Sequence, residues 1–155
     1  MAISLVTVGG KITAAVMNAI IGRANAAALR IGDVYIASTS STTLGIAMGD
    51  VAGAFVTASS GGTRVRATAT LNVENNGSGA TRTASFQLLC DGVLIGEVSR
   101  TFTLMLSGGT YQQLVVVLTA TSTPSAGSHT WKLQGLASAA TSVTVYQTNL
   151  QVQEA

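Results

Sequence analysis

Charge is scarce in this 155-residue sequence: eight Lys+Arg and six Asp+Glu make up 9% of it, against about a quarter in soluble domains. That shortage, with what surrounds it, excludes two classes. Disordered chains are charged and poor in apolar residues, whereas this one is 47% hydrophobic. Nucleic-acid binders mass their cations, but the net charge is +2 and Arg23, Arg30, Arg64, Arg66, Arg82 and Arg100 are scattered, so no nucleic-acid partner is expected. The single cysteine, Cys90, cannot form an internal disulfide, so the chain is not built around an oxidising compartment. Long apolar runs are missing too. The longest, Leu114–Leu118, falls far short of the roughly 20 residues a spanning helix needs, and membrane insertion is not expected. The opening MAISLVTVGGK carries no basic residue ahead of its apolar stretch; the expectation is no secretory signal and synthesis in the cytoplasm.

Small and β-branched residues fill the space that charge and aromatics leave: 23 Ala, 21 Thr, 17 Gly and 15 Ser, with aromatics at 5%. The length fits one domain, able to bury roughly two thirds of its unfolded surface without a metal or disulfide staple. A surface with so few charges is poorly solvated when left bare, so self-association is expected.

Two regions differ in period. Residues 11–31, KITAAVMNAIIGRANAAALRI, step by four through Val16, Ile20, Ala24 and Ala28, with Thr13 placed as an N-cap and Gly32 as a stop. This predicts a helix near 13–30, too weak to stand alone. From residue 33 the period becomes two. In RVRATATLNVE, Val65, Ala67, Ala69, Leu71 and Val73 face one way and the polar residues the other, the pattern of a half-buried strand. Asp91-Gly92 between two apolar runs is a strong hairpin signal. With DVYIAS, AFVTAS, Tyr111–Ala120, HTWKLQGL and SVTVYQTNLQVQ, the count reaches eight or nine strands. The predicted fold is mainly β, an antiparallel jelly-roll-like β-sandwich over 32–155 preceded by one N-terminal helix within an arm, 1–31. Its expected core includes Val65, Leu71, Phe86, Leu88, Phe102, Leu104, Val116, Leu118, Trp131, Leu133 and Val145.

The titratable inventory is thin. His129 lies two residues from Trp131 and so on the same strand face; it reads either as a sugar or proton-transfer contact or as a turn-exit histidine packed on an indole. Cys90, among Leu88, Leu89 and Asp91, reads as a buried, inert thiol. Asp33, Asp50, Glu74, Asp91, Glu97 and Glu154 are spread along the chain with no metal-ligand spacing. Gly45, Gly49 and Gly53 are not followed by a P-loop lysine. They read as a glycine-punctuated loop or bulged strand, or as a close backbone approach between chains about a symmetry axis. No catalytic residue, cofactor site or metal site is predicted, and the chain is not expected to be an enzyme.

Two segments carry a resemblance. GGKITAAVMNAIIGRANAAALR resembles the helix near the start of many small tail-associated proteins of tailed bacteriophages. TPSAGSHTWKLQGLASAATSVTVYQTNLQVQE is similar to the C-terminal β-sandwich strands of phage fibre, tail-tip and decoration proteins, through Gly127, His129, Trp131 and Leu133, then Val143, Val145, Leu150, Val152 and Glu154. Together they cover about a third of the chain. The resemblance implies a virion structural protein that is usually homotrimeric, tail-associated or decorating the capsid, in some members with host-glycan contact. The arm, with its apolar start and Ala-rich helix, reads either as docking through Ile20, Ile21 and Leu29 on other virion proteins of tail or capsid or as an extra layer packed on its own sandwich. Trp131, Tyr111 and His129 are the candidates for contact with a host cell-surface glycan.

Overall fold

The computed structural model describes residues 34–75, 81–102, 112–140 and 142–155. The expected helix, the arm and its docking residues Ile20, Ile21 and Leu29 lie outside them, as does Leu104. The described residues form nine strands and no helix: β1 (Val34–Ser38), β2 (Thr42–Thr43), β3 (Gly49–Gly61), β4 (Val65–Asn75), β5 (Arg82–Cys90), β6 (Val93–Phe102), β7 (Gln112–Ser122), β8 (Ala126–Ala137) and β9 (Val143–Glu154). None of their secondary structure is a helix long and apolar enough to cross a membrane.

All pairings are antiparallel. One sheet runs β1-β9-β4-β7, with β2 also on β9; the other runs β3-β8-β5-β6. Leaving out the two-residue β2, the chain crosses between sheets at each turn except the tight β5–β6 hairpin, and the last two strands take central places. That is the strand order of a β-sandwich wound as a jelly roll.

Alternation dictates the core. On β4, Val65, Ala67, Ala69, Leu71 and Val73 are all at most 1% exposed, facing Phe86, Leu88, Trp131 and Leu133 of the opposite sheet within one cluster. Nine of the expected core residues are buried there; the side chain of Phe102, like Leu104, is outside the description. Aligned sheets of this kind pack about 10 Å apart. The sheets come closest at their edges, and a glycine stands at each seam. A Cβ on Gly53 of β3 would lie 2.3 Å from Ser38 Oγ of β1, and one on Gly96 of β6 would lie 2.6 Å from the Cβ of Ala120 on β7. Gly53 also has φ +70°, which a side chain rarely adopts. The glycine-punctuated stretch is therefore a bulged strand, with the register slipping between Asp50 and Phe55. The close approach it makes to Ser38 is within the chain.

The outer faces differ. On the four-stranded sheet, Gln87 donates to Gln134, Gln134 to Asp50 Oδ1 at 2.6 Å, and Lys132 pairs with Asp50 at 3.0 Å. The Gln134 bond, then that of Lys132, holds the Asp50 carboxyl below its ordinary range. The β4, β7 and β9 face instead alternates Thr68, Thr70 and Asn72 with Val115, Val117 and Thr119, and with Gln147, Asn149 and Gln151.

Candidate functional site

Two clusters of polar side chains stand out, and the first contains the histidine and tryptophan singled out from the sequence. Asp91 (φ 50°) and Gly92 (φ 81°) both take positive φ at the β5–β6 turn, the requirement of a type I′ hairpin. Asp91 is also tied to β8: its N–H donates to Thr130 O at 2.9 Å and the Thr130 N–H donates to Asp91 Oδ1 at 2.8 Å. The other carboxylate oxygen, Oδ2, lies 2.5 Å from His129 Nδ1, while His129 Nε2 lies 2.8 Å from the carbonyl oxygen of Ser125. Both ring nitrogens thus face oxygens that can only accept, an arrangement that suits the imidazolium, which has two N–H donors. The hydrogen bond from Asp91 accordingly raises the His129 pKa. The Thr130 backbone bond, then His129, lowers that of Asp91.

The ring of His129 stands edge-on to Trp131, with centroids 6.0 Å apart. The shared face is the inner one, because alternation along β8 turns His129, Trp131 and Leu133 all toward the core. Trp131 is 0% exposed and His129 is buried. Neither can serve as the glycan contact expected of them: the indole has no free face, and both imidazole nitrogens are committed. Tyr111, the third candidate, lies outside the described residues.

Cys90, Asp91 and His129 bring one donor atom each to within 4.8 Å of one another, the one such group among the described residues. The donor set does not fit a metal. Burial first, and the charge of Asp91 second, push the Cys90 thiol up, away from the thiolate a metal needs. His129 spends both nitrogens within the chain. The cluster is a latch that fixes the hairpin against β8.

The second cluster lies on the opposite sheet, around a recess of about 660 Å³ lined by Thr39 and by residues of β4, β7 and β9. It owes its shape to a bulge. Gln147 of β9 pairs with Asn72, but Val73 pairs with Val145, so Tyr146 is the extra residue between them. A bulge re-aims the side chain it displaces, and Tyr146 stands out at 42% exposure. Beside it Glu74 is only 7% exposed. It accepts from Gln113 Nε2 at 3.1 Å and from the Tyr146 hydroxyl at 3.3 Å, the latter long for such a bond. Asn72 Nδ2 donates to Gln147 Oε1 at 2.9 Å across the strand pair. Among the described residues the wall is thus one aromatic ring, one carboxylate, three side-chain amides and a threonine beside the apolar Val73, Leu114 and Val115, with no cation.

Sequence reasoning did not bring these residues together, although one signal was present. On β9 the buried positions run Val143, Thr144, Val145, Thr148, Leu150, Val152. The step of three between Val145 and Thr148 breaks the period and leaves two successive outward residues, Tyr146 and Gln147. Val51 and Ala54 mark the β3 bulge in the same way.

No protein-family model matches the chain, and no curated protein matches it. Among solved structures it is similar to dimeric latent PorU from Porphyromonas gingivalis, at 11% identity over 81% of this chain and 10% of that one, TM-score 0.39. It is also similar to the CBM35 of Cellvibrio japonicus Abf62, at 16% identity over 79% of this chain and 97% of that one, TM-score 0.34. A third likeness is to T=1 particles derived from infectious bursal virus, at 16% identity over 81% and 36%, TM-score 0.28. At these TM-scores the likenesses carry no argument about what the chain does.

Proposed function

We propose that the chain is a non-enzymatic structural protein of a bacteriophage virion, a tail-associated surface protein acting as a homotrimer, with residues 1–31 attaching it to its neighbours. The observation that carries this reading is where the phage-like distal segment falls. It spans β8 and β9, which lie inside the two sheets, β8 between β3 and β5 and β9 between β1 and β4. The resemblance therefore concerns the framework of the sandwich rather than an appendage. Fold alone does not assign function, and the surface adds support. Phe55, Lys132, Leu89 and Leu94 stand in register straight across the four-stranded sheet, with Phe55 56% and Leu94 50% exposed. Lys132 and the already buried Leu89 separate the two exposed apolar ends, which a neighbouring copy would cover.

Decoration of the capsid is the alternative placement for the same framework. Locating the chain in an electron-microscopy map of intact particles tests the proposal, and tail density with threefold symmetry is the expected result. A stable monomer by light scattering at micromolar concentration would remove the trimer. For the arm, a chain starting at Gly32 is expected to fold yet no longer join particles; if it still joined them, docking through Ile20, Ile21 and Leu29 would be refuted.

A further inference from the structure

We propose that the recess on the β4, β7 and β9 face is a binding site for a neutral saccharide, held by Tyr146, Glu74 and the amides of Asn72, Gln113 and Gln147. Its volume of about 660 Å³ falls in the range of small-ligand sites, about 300–1,000 Å³. The chemistry of the wall then selects the ligand. With no lysine, arginine or histidine among the described residues that line it and a carboxylate inside it, the recess disfavours an anion. A purely apolar ligand would strand Glu74, already withdrawn from water at 7% exposure, and the neighbouring amides.

What fits is a neutral molecule with many hydroxyl groups. Glu74 takes one donor from Gln113 and one from Tyr146, and a carboxylate has about four lone-pair positions, so it can accept ligand hydroxyls as well. The Asn72–Gln147 bond uses one amide hydrogen and one carbonyl oxygen. Both residues are exposed, and the Asn72 carbonyl and the Gln147 N–H groups, an acceptor and a donor, match the two capacities of a sugar hydroxyl. The exposed ring of Tyr146 supplies the apolar surface on which the C–H face of a pyranose lies, as amphipathic rings do at wet interfaces.

The site differs from the Trp131 and His129 pair expected from the sequence. It also does not depend on where the chain sits in a particle: a virion protein whose recess binds nothing would lose this proposal alone, and a saccharide binder absent from particles would lose only the other.

The test is titration of the full chain with maltotriose, cellotriose, mannotriose and N-acetyllactosamine, with sialyllactose as the anionic control, followed by calorimetry and saturation-transfer NMR. At least one neutral sugar is expected to bind with a dissociation constant of ~1 mM or tighter. Tyr146→Ala and Glu74→Gln are each expected to weaken it by about tenfold or more, while His129→Gln, on the other sheet, leaves it unchanged. Should Tyr146→Ala fail to fold, Tyr146→Leu, which removes the ring but keeps apolar bulk, and the near-isosteric Glu74→Gln carry the test. Three results would overturn the proposal: no binding of any neutral sugar at about 10 mM, tighter binding of sialyllactose than of the neutral set, or binding that both recess variants leave intact.

Discussion

Asp91 and Glu74 invert the usual relation between exposure and availability. The Asp91 side chain is 49% exposed, yet it forms the turn, accepts from Thr130 and pairs with His129. Glu74 is 7% exposed, yet it borders an open recess and its partners are neutral side chains. Their surroundings explain the contrast. A hairpin tip packed against a neighbouring strand brings one backbone donor and one histidine ring to fixed positions, and they tie the carboxylate into the chain. A bulge on a central strand opens space instead, and flexible amide side chains fill only part of it. The kind of partner, a backbone N–H and a histidine ring against two neutral side chains, and not burial, separates the structural carboxylate from the one beside the recess.

The largest effect should come from removing what the latch rests on. Trp131→Ala deletes a fully buried indole and should cost about 3–5 kcal/mol, lowering Tm by roughly 6–20 °C for a chain this size. Differential scanning calorimetry checks this; a change under about 2 °C would mean that the indole is not the core of the latch. Asp91→Ala comes next. It removes two side-chain hydrogen bonds and puts alanine at φ 50°, at a cost of about 1–3 kcal/mol in chemical denaturation. Asp91→Asn, which tolerates that φ, should recover part of the loss.

The pH dependence of the latch sharpens the contrast further. His129 is raised above its ordinary 6.5, so its contribution is complete below that value and is lost as pH rises through the raised folded pKa. Asp91 is lowered below 3.8, so its contribution is present above 3.8 and is lost as pH falls through the lowered folded pKa. The stability difference between the natural chain and His129→Gln should therefore be greatest between these two values and shrink on both sides, as thermal melts across pH would record. A difference independent of pH would show that no ion pair forms. The smallest effect belongs to the other carboxylate. Glu74→Gln keeps one acceptor oxygen for Gln113, and its new amide N–H can donate to the Tyr146 hydroxyl, so denaturation should shift by less than about 1 kcal/mol. A larger loss would make Glu74 as structural as Asp91.

Much of the sandwich was legible from the sequence, because side-chain period and turn chemistry are written into neighbouring residues. RVRATATLNVE became β4 with its apolar residues inward, Asp91-Gly92 became the hairpin, and the expected core residues whose side chains are described are buried. The same reasoning placed His129 and Trp131 on one face. It could not tell which face, since alternation fixes that two residues agree, not which layer covers them. Trp131 and His129 turn inward.

The recess was not legible for a related reason. Glu74, Gln113 and Tyr146 belong to β4, β7 and β9, far apart in the chain, and they meet only through the pairing of β4 with both other strands.

By itself the sequence determined the β class, the inward set of side chains and the position of the tight turn, each a matter of contacts between near neighbours along the chain. The tertiary structure alone decided that β8 and β9 lie inside their sheets, that the latch faces inward, and that a one-residue bulge turns Tyr146 beside Glu74. Those outcomes depend on which distant strands pair and in what register, and a shift of one residue there exchanges the two faces of a strand.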